Sequence, residues 1–353
     1  MQSTAVAAPV DPASSSLVQV LRAHGLLIGA VALYAGIAFS LSGLAGQSVG
    51  AEKAGALLGN FARMLPVMVY MVLMWRVVIM RSIRPPSAAA WLKEDIRQLV
   101  TDRHRLITGL VGFALMTVVM LSFGQMKRII PVLHPFDWDT TFIAMDRALH
   151  FGIDPWKLVH AVLGHPWIIT LITAAYNFWL FLVYFVLIVT CFSTSNPRLR
   201  MQYLIAFILT WAIGGNLVAT IFSSVGPVYV ERLGLGDTFA PLMQILQAHA
   251  ATQPLTVIEV QDVLWGFYTG PDNLSSISAF PSMHVASSTL MAIYGWRISR
   301  LAGWALTIFA TVIMFGSVLL AWHYAVDGYA GALIALACWP VAGWLVKRFG
   351  PAR

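Results

Sequence analysis

Uninterrupted apolar runs of about 20 residues recur along this chain, and a helix needs a run of that length to cross the hydrocarbon core of a bilayer. Eight can be marked, at about 26–45, 61–80, 106–124, 168–192, 202–222, 284–298, 302–321 and 327–346. With no water to satisfy backbone N–H and C=O groups in that core, runs this long fit helices. Charged residues fill 10% of the 353 positions, against roughly a quarter in a soluble domain. A water-soluble enzyme, a disordered chain and a disulfide scaffold are thereby excluded. The expected fold class is all-α: a polytopic transmembrane helical bundle of about eight spans, with amphipathic interfacial helices. The first run is too long for a signal peptide and only Arg22 precedes it as a cation, so it reads as a retained helix. The sixth is short for a bilayer, so its start near Pro281–His284 is expected at the membrane surface or in a protein-lined recess.

The formal net charge of +7, from 22 basic and 15 acidic residues, does not point to nucleic acid, because the cations fall in short clusters between the runs. Arg81, Arg84, Lys93, Arg97, Arg103 and Arg105 lie between spans two and three. Arg198 and Arg200 lie between four and five, Arg297 and Arg300 between six and seven, and Lys347, Arg348 and Arg353 follow the last. If all eight runs cross, every one of these is on one side, which the positive-inside rule makes cytoplasmic. The segment 223–283 has the opposite balance: Arg232 against Glu231, Asp237, Glu259, Asp262 and Asp272. A multi-pass protein with both termini cytoplasmic and its long loops facing outward is the expectation.

Two outward segments stand out. Residues 136–165 mix Trp138, Phe142, Met145, Phe151 and Trp156 with Asp, Arg and His, the pattern of amphipathic helices lying in the interface. Residues 223–283, with Pro227, Pro241, Pro254, Pro271 and Pro281, read as loop-like. Cys191 and Cys338 sit within apolar runs and read as buried hydrophobes. Asn177 and Asn216 are expected to hydrogen-bond between helices, and Gly214-Gly215 to permit close helix packing.

Ionisable residues at the membrane edge are functional candidates because burying them is costly. Two clusters qualify: Ser275-Ser276-Ile277-Ser278-Ala279-Phe280-Pro281-Ser282-Met283-His284, and Trp322-His323-Tyr324-Ala325-Val326-Asp327. Spans six and seven form a hairpin, so both clusters return to the same, outer face. His323 and Asp327 are four apart and share a helix face. A carboxylate there can accept the imidazole ring hydrogen, fix its tautomer and leave the other nitrogen free to attack. Pro281 and Ser282 suit a helix start, whose unpaired N–H groups seat phosphate oxygens. His284 just inside it can protonate a leaving oxygen. That is a kit for phosphoryl transfer through a phosphohistidine.

These residues resemble the type 2 phosphatidic acid phosphatase superfamily, whose site is shared with vanadium haloperoxidases. Its Pro-Ser-Gly-His motif is matched by Pro281-Ser282-Met283-His284, and its His-x-x-x-Asp by His323 to Asp327. The resemblance implies His323 as nucleophile, Asp327 as its orienting partner and His284 as general acid. It also implies a catalytic six-span core over 96–353, with 1–95 an added cytoplasmic segment and two spans. Two features depart from the family. Ser317 stands where an arginine usually precedes the third motif, and no Lys-x6-Arg-Pro follows the fifth span. In its place comes Ser223-Ser224-Val225-Gly226-Pro227-Val228-Tyr229, then Arg232. With histidine-tyrosine opening the third motif, this resembles the inositol phosphorylceramide synthase branch of lipid phosphotransferases.

The implied substrate is a lipid phosphate (phospholipid, sphingolipid or polyprenyl phosphate), and the acceptor is water or a lipid or alcohol hydroxyl. No cofactor and no metal is implied. Candidate phosphate contacts are Pro281, Ser282, Tyr229, Arg232 and Tyr324. His150, His160 and His165 with Asp146 and Asp154 form no compact ligand spacing. The rival class is a transporter relaying protons through intramembrane His and Asp, for which inverted repeats with paired broken helices are expected and none is found.

Overall fold

A computed structural model describes residues 17–46, 51–253, 256–270 and 277–350, so Pro254, Pro271, Asp272, Ser275, Ser276 and Arg353 lie outside the described residues. The fold is all-helical. The helices are α1 (Leu17–Ala23), α2 (Gly25–Leu44), α3 (Ala51–Ile83), α4 (Ala88–Thr101), α5 (Arg103–Leu133), α6 (Asp139–Leu149) and α7 (Pro155–Leu163). They continue as α8 (Pro166–Cys191), α9 (Pro197–Ile221), α10 (Ala240–Ala250), α11 (Thr256–Thr269), α12 (Met283–Ile298), α13 (Arg300–Leu319) and α14 (Ala325–Phe349). Among the described residues seven are long and apolar enough to cross a membrane: α2, residues Leu65–Ile83 of α3, α5, α8, α9, α13 and α14. This is an integral membrane bundle.

The eighth expected span is α12. Its 16 residues reach about 24 Å, short of the roughly 30 Å core. It lies inside the bundle, with Val285, Ala286, Ser287, Ser288, Leu290 and Met291 all buried. The Ser282 hydroxyl caps its start by accepting from the Val285 N–H at 3.4 Å, and the start sits in a protein-lined recess. Ser299 ends α12 and begins α13: its N–H donates to Gly295 O and its Oγ accepts from Ala302 N at 3.1 Å. Sharing one capping residue makes the turn tight enough for the two helices to pack as a hairpin.

The described parts of segment 223–283 are more ordered than a proline-rich loop. Pro241 occupies the first turn of α10, where the missing N–H costs nothing, and Leu242, Leu246 and His249 bury one face of that helix. Segment 136–165 forms the amphipathic pair α6 and α7, with Phe142, Ile143 and Trp156 inward and Met145, Leu149 and Leu158 outward.

The first span is tied into the bundle. The Tyr34 hydroxyl donates to Asn216 Oδ1, and His24 meets Arg200 at 2.6 Å. Asn177 donates to Thr256 Oγ1 at 2.6 Å, and both cysteines are free and buried. Residues Thr210–Val218 within α9 widen into a π-helical stretch. Gly214 and Gly215 in that stretch face the thioether of Met283: Cβ atoms there would meet its Sδ at 3.4 and 3.2 Å. The glycine pair thus makes room for the methionine that stands at the glycine position of Pro-Ser-Gly-His.

α14 meets the start of α12 at Gly331, where a Cβ would come within 2.4 Å of Ser282 O. Both atoms in that clash are held by backbone. Gly331→Ala is therefore expected to push the two helices apart, costing about 1–3 kcal/mol by overpacking. The check is thermal unfolding in detergent, with a fall in Tm of roughly 2–8 °C.

Candidate active site

Three stretches of chain far apart in sequence converge at one end of the bundle. The α12 start brings His284. The turn between α13 and α14 brings His323, with the N–H groups of Trp322 and His323 both donating to Ser317 O at 3.0 and 3.1 Å. Ser317, at the usual arginine position, thus fixes the backbone of the turn. The segment 223–229 closes against both. Gly226 adopts φ +87°, and a Cβ there would lie 2.8 Å from Trp322 O and from the Ala279 methyl. Only glycine allows this loop to touch both motifs.

His323 Nδ1 lies 3.2 Å from Asp327 Oδ2, and the same oxygen accepts the Tyr324 N–H at 3.1 Å. The carboxylate thereby favours the tautomer with hydrogen on Nδ1, leaving Nε2 with its lone pair. Burial, and then the charge of Lys127, pushes the His323 pKa down to about 3, so the ring is neutral at ordinary pH. The His284 ring centroid stands 5.8 Å from that of His323. Tyr176 at 4.3 Å and Trp179 at 4.0 Å hold the His284 ring between them.

Both histidines line a cavity of about 440 Å³. Most of its wall is apolar or aromatic, including Met120, Leu180, Trp211, Val257 and Leu264, and no carboxylate lines it among the described residues. One cation does: Lys127, near the end of α5. The sequence alone does not single it out, because the third apolar run ends at 124 and Lys127 lies beyond it. Two signals were available. Met120, Phe123 and Lys127 follow the i, i+3, i+7 spacing of one helix face, and all three line the cavity. A lysine at the span end opposite the basic clusters of the other loops also runs against the positive-inside rule.

The remaining candidates fall around this centre at different depths. Tyr229 lines the cavity with its ring, while its hydroxyl donates to Gln261 O at 2.9 Å. Pro281 and Ser282 are buried in the α12 start behind His284. Tyr324 does not line the cavity; its hydroxyl donates to Asp139 Oδ1 at 2.7 Å. Arg232 is held away by Asp262 at 2.5 Å and lies over the rings of Tyr229 and Trp265. The cation that the fold brings to the histidines is Lys127 rather than Arg232.

Interfacial helix α6 clamps the loops. Asp139 and Asp146, seven residues apart on one face, are both buried. Asp139 accepts from the Val225 and Gly226 N–H groups, each at 3.0 Å, and from Tyr324. Asp146 accepts the first N–H groups of α14, Ala325 and Val326, each at 2.9 Å, as an anion at a helix N-terminus should. Burial pushes both carboxyls up, and these donors pull the other way. His150, which the sequence set beside Asp146 as a weak metal candidate, instead bonds Tyr329 at 2.9 Å. Among the described residues no group of three or more His, Cys, Asp or Glu is arranged to hold a metal.

A family model described as PAP2 superfamily matches residues 140–341, well over half of the chain. No curated protein and no solved structure matches it.

Proposed function

Because the chain belongs to the PAP2 superfamily, we propose that it is a lipid phosphotransferase working through a phosphohistidine on His323. Membership itself makes it a phosphatase- or phosphotransferase-type enzyme of lipid phosphates in an integral membrane protein. The observation that carries the finer reading is the pair of histidine rings 5.8 Å apart in one cavity, with Asp327 behind His323.

In this reading His323 Nε2 attacks phosphorus in line. The N–P bond forms as the P–O bond to the lipid alkoxide breaks, and His284 gives that alkoxide its proton. A second hydroxyl then loses its proton to His284 and attacks phosphorus, releasing His323. Lys127 stabilises the charge on the transferring phosphoryl oxygens, in place of the absent cationic motif. The apolar cavity wall favours a lipid or alcohol hydroxyl over water as acceptor; with water, the enzyme is a phosphatase. Gly226-Pro227-Val228-Tyr229 and His323-Tyr324 support the inositol phosphorylceramide synthase branch. The cavity faces outward and both termini are cytoplasmic, a sidedness supported by Arg198, Arg297 and Arg300 at the other end of the bundle.

The test is a rapid quench with a lipid labelled in its phosphate. The expected result is an acid-labile, base-stable label on the protein that chases into an added lipid alcohol, with vanadate blocking the labelling. Turnover without labelled protein and without vanadate inhibition at millimolar levels overturns the phosphohistidine. A label that chases only into inorganic phosphate overturns transfer.

A further inference from the structure

A second cavity, of about 690 Å³, lies at the opposite end of α12 from His284. Its walls come from α3, α4, α5, α8, α9, the last turn of α12 and the loop 193–196. Apolar side chains such as Trp75, Leu106 and Phe192 form most of the lining. Three arginines and the Ser193-Thr194-Ser195 hydroxyls supply the polar part, and no acidic residue lines it among the described residues. The arginines differ in what they hold. Arg76 is committed to Asp95, with Nε on Oδ2 at 2.6 Å. Arg105 Nε is buried without a hydrogen-bond partner, its nearest carboxylate being Asp102 at 3.9 Å. Arg297, exposed in the last turn of α12, has no hydrogen bond or ion pair among the described residues.

The geometry points to a binding site for one anionic phospholipid of the leaflet surrounding this end of the bundle. Arg105 and Arg297 receive its phosphate, the serine and threonine hydroxyls donate to the remaining headgroup oxygens, and the acyl chains lie along the apolar wall. Arg297, with no carboxylate partner among the described residues, and Arg105, whose Nε has no hydrogen bond and whose Asp102 stands off at 3.9 Å, suit an anion. An apolar wall beside them suits a lipid rather than a free ion, and basic pockets between membrane helices are where anionic headgroups lodge. The site lies outside the phosphoryl-transfer machinery, and it gives α3 and α4 a role in forming its walls.

The experiment is native mass spectrometry of the full chain from detergent, exchanged against phosphatidylglycerol, phosphatidylcholine or inorganic phosphate. The expected result is retention of one phosphatidylglycerol about tenfold over phosphatidylcholine. The preference should vanish in Arg105→Gln/Arg297→Gln, persist in Arg105→Lys/Arg297→Lys, and resist competition by inorganic phosphate. Equal retention of the two lipids, or an undiminished preference in the glutamine variant, overturns the proposal. Displacement by inorganic phosphate overturns the lipid as occupant. Should the glutamine variant fail to fold, the wild-type lipid preference and the phosphate competition still decide. The readout is binding, so it stands or falls separately from the phosphohistidine.

Discussion

His323→Ala is expected to lower kcat on a lipid phosphate by about 10^4-fold or more, because it removes the attacking atom rather than a helper. No cysteine lines the cavity, and the hydroxyls of Tyr176, Tyr229 and Ser278 are weak nucleophiles beside an imidazole held neutral. The fold should survive, since Asp327 Oδ2 keeps the Tyr324 N–H. Retained thermal unfolding separates lost chemistry from lost structure. His284 gives a different signature. His284→Gln should cost about 10^2–10^4-fold on a lipid ester, whose alkoxide needs a proton. On a p-nitrophenyl ester, whose leaving group departs as an anion, the cost should be under about tenfold. His323→Ala should be dead on both. Equal losses for the two variants on both esters would remove the acid role from His284, and an active His323→Ala would remove the nucleophile.

Lys127→Met is the second large effect, and its sign differs between two measurements. Losing the cation that lines the histidine cavity should lower kcat by about 10^2–10^3-fold, the scale of a single preorganised charge contact in a transition state. Vanadate affinity should fall in parallel, and Lys127→Arg should recover part of both. Stability should hold or rise, because a half-buried charge with no carboxylate partner among the described residues is costly and methionine fills similar volume. Unchanged kcat and vanadate affinity would leave Lys127 a packing residue. The ring of Phe123, 6.0 Å from Nζ, is too weak a partner to explain the lysine otherwise.

The bundle was legible because its physics is one-dimensional: a long apolar run without charges has few alternatives to a membrane helix. The His323–Asp327 pair was legible for a similar reason, four residues on one helix face. What failed to show was anything depending on where distant helices touch. Lys127 lies about 160 residues before the nearer histidine, and α6 donates carboxylates to loops that no periodicity connects with it. Arg232 was the reverse case. Its position after Tyr229 suggested a phosphate contact, but the nearby Asp262 in α11 offers it a partner at the surface. Sequence order near a motif says little about which way a long side chain turns.

The α6 clamp also has a meaning in time. Asp139 and Asp146 are made early, while their partners Tyr324, Ala325 and Val326 follow 179–185 residues later. At about 5–20 residues per second, that interval is roughly 10–40 s of translation. During it Asp146 lacks these donors, while Asp139 has only the Val225 and Gly226 N–H groups to meet. The docking of Asp146 therefore waits for the last span, and the His323 turn is pinned in the same event. A ribosome that stops before α14 leaves a bundle in the membrane whose His323 turn lacks both Asp327 and the contacts of Asp146.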